Sequence, residues 1–132
     1  MTLSRQVIEP NNPALDQSQK FGLPLSTAVR GGDFVFVSGM AAIDPATGAP
    51  AYGTVAAETR QILANMAHLL ESAGSSLDRI VQVHAMIYDR IEYDVLNRVY
   101  RQYVPNAPPA RTVMSVQIEA GFKVMLDVTA AA

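Results

Sequence analysis

Between Thr54 and Ala73, Thr59, Ile62, Leu63, Met66, Leu69, Leu70 and Ala73 recur at steps of three and four. That spacing lays one apolar stripe along a helix of 3.6 residues per turn. Such a helix takes most of its stability from the surface its stripe covers, so the rest of the chain has to supply that surface. The ends are marked as well. Thr54 is placed to cap the first turn, Glu58 sits where the helix dipole favours an acid, and Gly74 stops the helix.

The covered surface reads as strands. Residues 2–24, broken by Pro10, Pro13 and Pro24, read as a short strand or extended arm followed by a loop. "STAVRGGDFVFVSGM" reads as strand, turn, strand, with Gly31-Gly32 supplying the positive φ of a tight hairpin. Phe34 to Ser38 is apolar on both faces, and "DPATG" (44–48) is a turn. In residues 79–89, Val81, Val83, Ala85 and Ile87 form one apolar face. Gln82, His84, Met86 and Tyr88 form the other, a mixture that suits an interface or pocket wall. A second helix over 93–103 buries Leu96, Val99, Tyr100 and Tyr103, with Pro105 beyond its end. In Arg111–Ile118 the alternation sends Thr112, Met114, Val116 and Ile118 to the core, leaving Arg111, Val113 and Ser115 opposite. In Phe122–Val128, Val124, Leu126 and Val128 alternate with Lys123, Met125 and Asp127. This order predicts an α+β fold: a mixed β-sheet of about six strands with two helices on one face. The other sheet face is then left for sister copies to cover.

The size, 132 residues, predicts one domain over 1–132. Hydrophobic residues make up 49% and charged ones 17%, a folded composition somewhat rich in apolar surface for a small monomer. The net charge is −2 and the basic residues stand singly, which argues against a nucleic-acid surface. With no cysteine, disulfides and thiolate chemistry are excluded. His68 and His84 lie apart with no carboxylate at metal-ligand spacing, so no metal is expected. The N-terminal residues are polar, and no apolar run approaches membrane length. A cytoplasmic protein with no membrane partner is expected.

"PPARTVMSV" (108–116) puts Arg111 at the mouth of a strand bound for the core, a position suited to a guanidinium that holds a planar anion at a buried interface. Five stretches in order, "FVFVSGM", "DPATG", "ETRQILANMAHLLESAGSSLDRIV", "YDVLNRVY" and "PPARTVMSV", give the chain its resemblance to the reactive intermediate deaminase (RidA, YjgF-like) family. The resemblance runs from about residue 22 to the end. It implies a chorismate-mutase-like fold and a homotrimer with a barrel-like core and clefts between neighbouring copies.

The resemblance implies a hydrolase for small imine or enamine acids, the 2-aminoacrylate and 2-iminopropanoate type, giving 2-oxo acids without a metal or organic cofactor. It makes Arg111 the catalytic and carboxylate-binding arginine, with Ser38 and Asn97 as further substrate-binding residues. The chain departs from the family at three places. Met40 stands for a usual glutamine, Leu25 for a usual tyrosine, and Met125 for the glutamate that positions the hydrolytic water. The alternative is therefore a small-carboxylate-binding trimer that no longer catalyses. Asp127 lies on the Met125 face, one pleat away, and Glu119 lies in the loop before the last strand, within swing of a neighbour's cleft. The endoribonuclease activity attached to the family's name finds no basic surface or paired histidines here.

Overall fold

The computed structural model of the protein describes residues 4–104 and 106–132. The first residues of the expected N-terminal arm, and Pro105 after the second expected helix, lie outside them. Helix α2 (Val55–Ser72) forms where the apolar stripe predicts it, capped by the Thr54 side chain, which accepts from the Ala57 N–H. Gly74, with φ +76, follows its end. Its stripe of Ile62, Leu63, Met66, Leu69 and Leu70 is fully buried.

The surface beneath it is one six-stranded sheet built from β1 (Arg5–Ile8), β2 (Ala28–Gly31), β3 (Phe34–Met40), β4 (Ile80–Ile87), β5 (Ala110–Ser115) and β6 (Val124–Ala131). The spatial order is β1-β2-β3-β6-β4-β5. All neighbours run antiparallel except β4 and β5, which are parallel. A parallel pair needs a long crossover, and α3 (Tyr93–Tyr103) provides it. Helix α2 packs on β3 and β6, and α3 packs beside α2. Val35, Val37, Val83, Ala85, Ile87, Leu126 and Val128 face these helices as the core.

The structure corrects the sequence reading at four points. Only Gly32 in the β2–β3 hairpin has positive φ, +57. Gly31 and Phe34 pair directly across it, so one left-handed residue at the first turn position suffices. A short helix, α1 (Gln17–Phe21), occupies part of the expected loop. Val81 is exposed because the β4–β6 register shifts between Ile80 and Gln82. This bulge turns Ile80 inward instead, at 7% exposure against 42% for Val81.

The fourth correction is the parity of β5. Arg111 and Val113 pair with the core residues Val83 and Ala85 of β4, so they face the helices. Thr112 and Met114 face away and are exposed. Ile118 is buried, but beyond the end of the strand, in a small cluster with Ala41, Ile43 and Phe122.

The sheet face without helices carries rows of side chains set by the strand pairing. One row runs Val7, Val29, Phe36, Thr129, Gln82, and another runs Met125, Met86, Met114. Phe36 is 49% exposed. Among the described residues no helix is long and apolar enough to cross a membrane.

Candidate functional site

Arg111 is the second residue of β5, one residue past Pro108 and Pro109, whose fixed φ favours extended backbone. Pairing with Val83 then turns its side chain toward α3. There Arg111 Nη2 donates to Asn97 Oδ1 at 2.7 Å and lies 3.5 Å from the Tyr93 hydroxyl. The guanidinium carbon stands 4.8 Å from the Tyr100 ring centroid and 5.9 Å from that of Tyr93. These distances suit cation–π attraction. No described carboxylate forms an ion pair with it. A guanidinium has five N–H donors, so most remain free to meet a planar anion. Beside it opens a cavity of about 460 Å³ lined by Tyr93, Asn97, Tyr100, Val104, Pro109 and Arg111.

Tyr100 is buried, as the helix pattern predicts, and also flanks Arg111. Its hydroxyl is buried without a hydrogen-bond partner. Burial pushes the phenol above its ordinary value, while the Arg111 charge pulls the other way. The i, i+3 spacing of Asn97 and Tyr100 was visible in the sequence. That both flank Arg111 depends on the β5 parity.

Ser38 lies elsewhere. It is on β3, separated from β5 by β6 and β4, so roughly 14 Å lies between the two strands at the usual inter-strand spacing. Its hydroxyl donates to the Ser26 carbonyl at 2.7 Å. Ser38, Leu25, Met40, Met125 and Glu119 line a second cavity, of about 290 Å³. A Cβ on Gly39 would stand 2.9 Å from Met125 Sδ, so that glycine is what lets Met125 lie over β3. The structure thus joins Arg111 with Asn97 and gathers Ser38 with Leu25, Met40 and Met125. It does not bring the two groups together within one chain.

Helix α1 forms one wall of the second cavity. Asp16 caps it, accepting from the Gln19 N–H and from the Ser18 and Thr27 hydroxyls. Burial raises the Asp16 carboxyl, but these hydrogen bonds outweigh it and hold the group below its ordinary value of 3.8. A depressed carboxyl stabilises the fold fully above its unfolded value and loses that contribution as pH falls through the folded one. Asp16→Ala is therefore expected to cost about 1 kcal/mol at neutral pH. Urea midpoints measured from pH 7 to pH 2 should show the gap to wild type closing below the ordinary carboxylate value. A gap that stays constant with pH would rule out this linkage.

His84 has no carboxylate at metal-ligand spacing along the sequence, but it is hydrogen-bonded in the fold. Strand pairing sets it opposite Asp127, 43 residues away, with Nδ1 and Oδ1 2.8 Å apart. The pair lies on the helix-free face beside Thr112. Only the β4–β6 register could have disclosed it. Among the described residues no group of three or more metal-ligating side chains gathers.

A mixed six-stranded sheet with two helices on one face, and an arginine pocket at its parallel edge, defines the chorismate-mutase-like α+β class. The family model described as Endoribonuclease L-PSP matches residues 18–132. The chain belongs to this family, which includes the RidA/YjgF-like proteins. It is 37% identical to a RutC family protein of Pyrococcus horikoshii, over 70% of this chain and 74% of the relative. It is 33% identical to the 3-aminoacrylate deaminase RutC of Acinetobacter baylyi, over the same shares. Among solved structures, a Rid-family protein of unknown function from Yersinia pestis superposes with a TM-score of 0.88 at 28% identity, covering 98% of this chain and 100% of that one.

Proposed function

We propose that the protein hydrolyses small imino and enamino acids, of the 2-iminopropanoate and 2-aminoacrylate kind, in clefts between copies of a homotrimer. One observation carries this reading. The Arg111 guanidinium, steadied by Asn97 and Tyr100 and unpaired with any described carboxylate, opens on a cavity with donors to spare. A substrate carboxylate is the planar partner that such a fork matches. The name of the Acinetobacter baylyi relative supports extending enamine hydrolysis to this chain.

In the proposed reaction water adds to the imine carbon, and a proton passes from the added water to nitrogen. The carbinolamine then expels ammonia as the carbonyl of the 2-oxo acid forms. Arg111 contributes by holding the carboxylate so that the reacting carbon stays in one place. Ser38 of a neighbouring copy is the proposed second contact. The separation of Ser38 from Arg111 supports a cleft completed by two copies, and the helix-free face bearing Phe36, Met86, Met114 and Met125 is the surface a barrel-like trimer would bury. Gel filtration is expected to give the mass of three 14.2 kDa chains. A monomer would remove the shared cleft.

A second reading has one observation in its favour. Met125, which the resemblance sets at the position of the family's water-positioning glutamate, offers the Ser38 cavity a thioether, which cannot act as a base. The protein would then bind small carboxylates without turnover. The experiment is hydrolysis of freshly generated 2-iminopropanoate by wild type and Arg111→Ala. Turnover lost in the variant supports the deaminase. Carboxylate binding without turnover supports the binder.

A further inference from the structure

The Ser38 cavity is apolar beyond what a methyl-bearing substrate requires. Phe21, Leu23, Leu25, Met40, Phe122 and Met125 are the largest apolar side chains grouped on its wall. Its polar side chains other than the exposed Glu119 are engaged elsewhere. The Ser38 hydroxyl donates to Ser26, the Thr27 hydroxyl to Asp16, and the Gln17 amide nitrogen to the Ala14 and Gly48 carbonyls. A polar group entering here would give up water for few partners, at a net cost. An apolar group would lose only water. The space is large enough: an apolar cavity of about 150 Å³ accepts benzene, and this one is about 290 Å³. Phe21, Leu23 and Leu25 are 59%, 45% and 47% exposed, so they stand ready to close on something.

We propose that this cavity receives the side chain of the imino acid, and that the preferred substrates carry an extended apolar group of the isobutyl, thioether or benzyl class. The proposal rests on the inter-copy cleft described above, in which Arg111 of one copy holds the carboxylate while the cavity of the next takes the tail. Specificity then comes from α1, the end of β3 and the loop before β6.

The test compares imines generated in the cuvette by an amino-acid oxidase from alanine, leucine, methionine and phenylalanine. In wild type, kcat/KM for the larger imines is expected to exceed that for the alanine-derived imine by about 10- to 100-fold. Leu25→Asn should shrink that ratio toward one; a merely structural role for Leu25 would lower both rates together and leave the ratio unchanged. In parallel, binding of pyruvate, 4-methyl-2-oxopentanoate and phenylpyruvate is measured by calorimetry. Tail-graded binding without hydrolysis of any imine supports the cavity assignment while overturning the deaminase reading. Hydrolysis with no preference, or a preference for the alanine-derived imine, overturns the cavity assignment and leaves the deaminase standing. The same flat pattern would result if a neighbouring copy filled the cavity. Neither hydrolysis nor binding overturns both.

Discussion

Arg111→Ala is expected to lower kcat/KM for imino acids by about 1,000-fold, and Arg111→Lys by about 100-fold. Losing one partner of a desolvated, hydrogen-bonded charge pair costs about 2–5 kcal/mol, and 1.4 kcal/mol is tenfold. Lysine keeps the charge but cannot present two parallel donors. Most of the loss should fall on KM. The carboxylate stays an anion from imine to carbinolamine, so its clamp binds ground state and transition state about equally. The part that falls on kcat reports lost orientation. Stability should fall only modestly, because what Arg111 gives the fold is a part-buried hydrogen bond to Asn97 and a cation–π contact of about 0.5–1 kcal/mol. Steady-state kinetics and a melting curve on the same preparation separate the two effects. Activity within threefold of wild type in Arg111→Ala would remove the arginine from the mechanism.

Legibility in the sequence followed the strength of the local signal. The α2 stripe has marked ends, and the structure buries its members from Thr59 to Leu70 as expected, adding Val55, Glu58 and Asn65. In β6 the parity was also clear, because Val124, Leu126 and Val128 alternate with polar or half-polar partners. The β5 strand had no such contrast: Arg111, Val113 and Ser115 on one face and Ala110, Thr112 and Met114 on the other are each a mixture of polar and apolar residues. Its parity is fixed by parallel pairing with β4, a contact the local pattern does not encode. Helix α1 has no apolar period. It is held by Asp16 at one end, the left-handed Gly22 at the other, and bonds from Gln17 and Lys20 to the Gly48 carbonyl. The candidate site divided in the same way. Arg111 and Asn97 could be matched one at a time, but the distance between Arg111 and Ser38, and the His84–Asp127 pair, exist only once strand order and register are known.

Glu58→Ala is expected to cost about 2–4 kcal/mol of folding stability through the two backbone donors it strands, for reasons the dipole reading of this residue did not contain. Its side chain is fully buried. One carboxylate oxygen accepts from the Lys123 N–H at 2.8 Å and the other from the Gly53 N–H at 3.2 Å. The Lys123 ammonium stands 3.8 Å away and donates to the Gly53 carbonyl. One acid therefore joins the start of α2, the segment before it and the entry to β6. Truncation strands two backbone donors, and an unmet buried donor is costly. A leucine of similar size would fill the space and still leave both donors unmet, so Glu58→Leu should be nearly as damaging. Glu58→Gln keeps one acceptor and should cost less than Glu58→Ala. Because whole-domain stability is only about 5–15 kcal/mol, the alanine variant should lose much of its urea midpoint. The loop over 119–122, which lines the Ser38 cavity, is tethered at Lys123, so residual activity should fall with the midpoint. A loss below about 1 kcal/mol would mean that water takes the place of the carboxylate and that the three segments hold together without it.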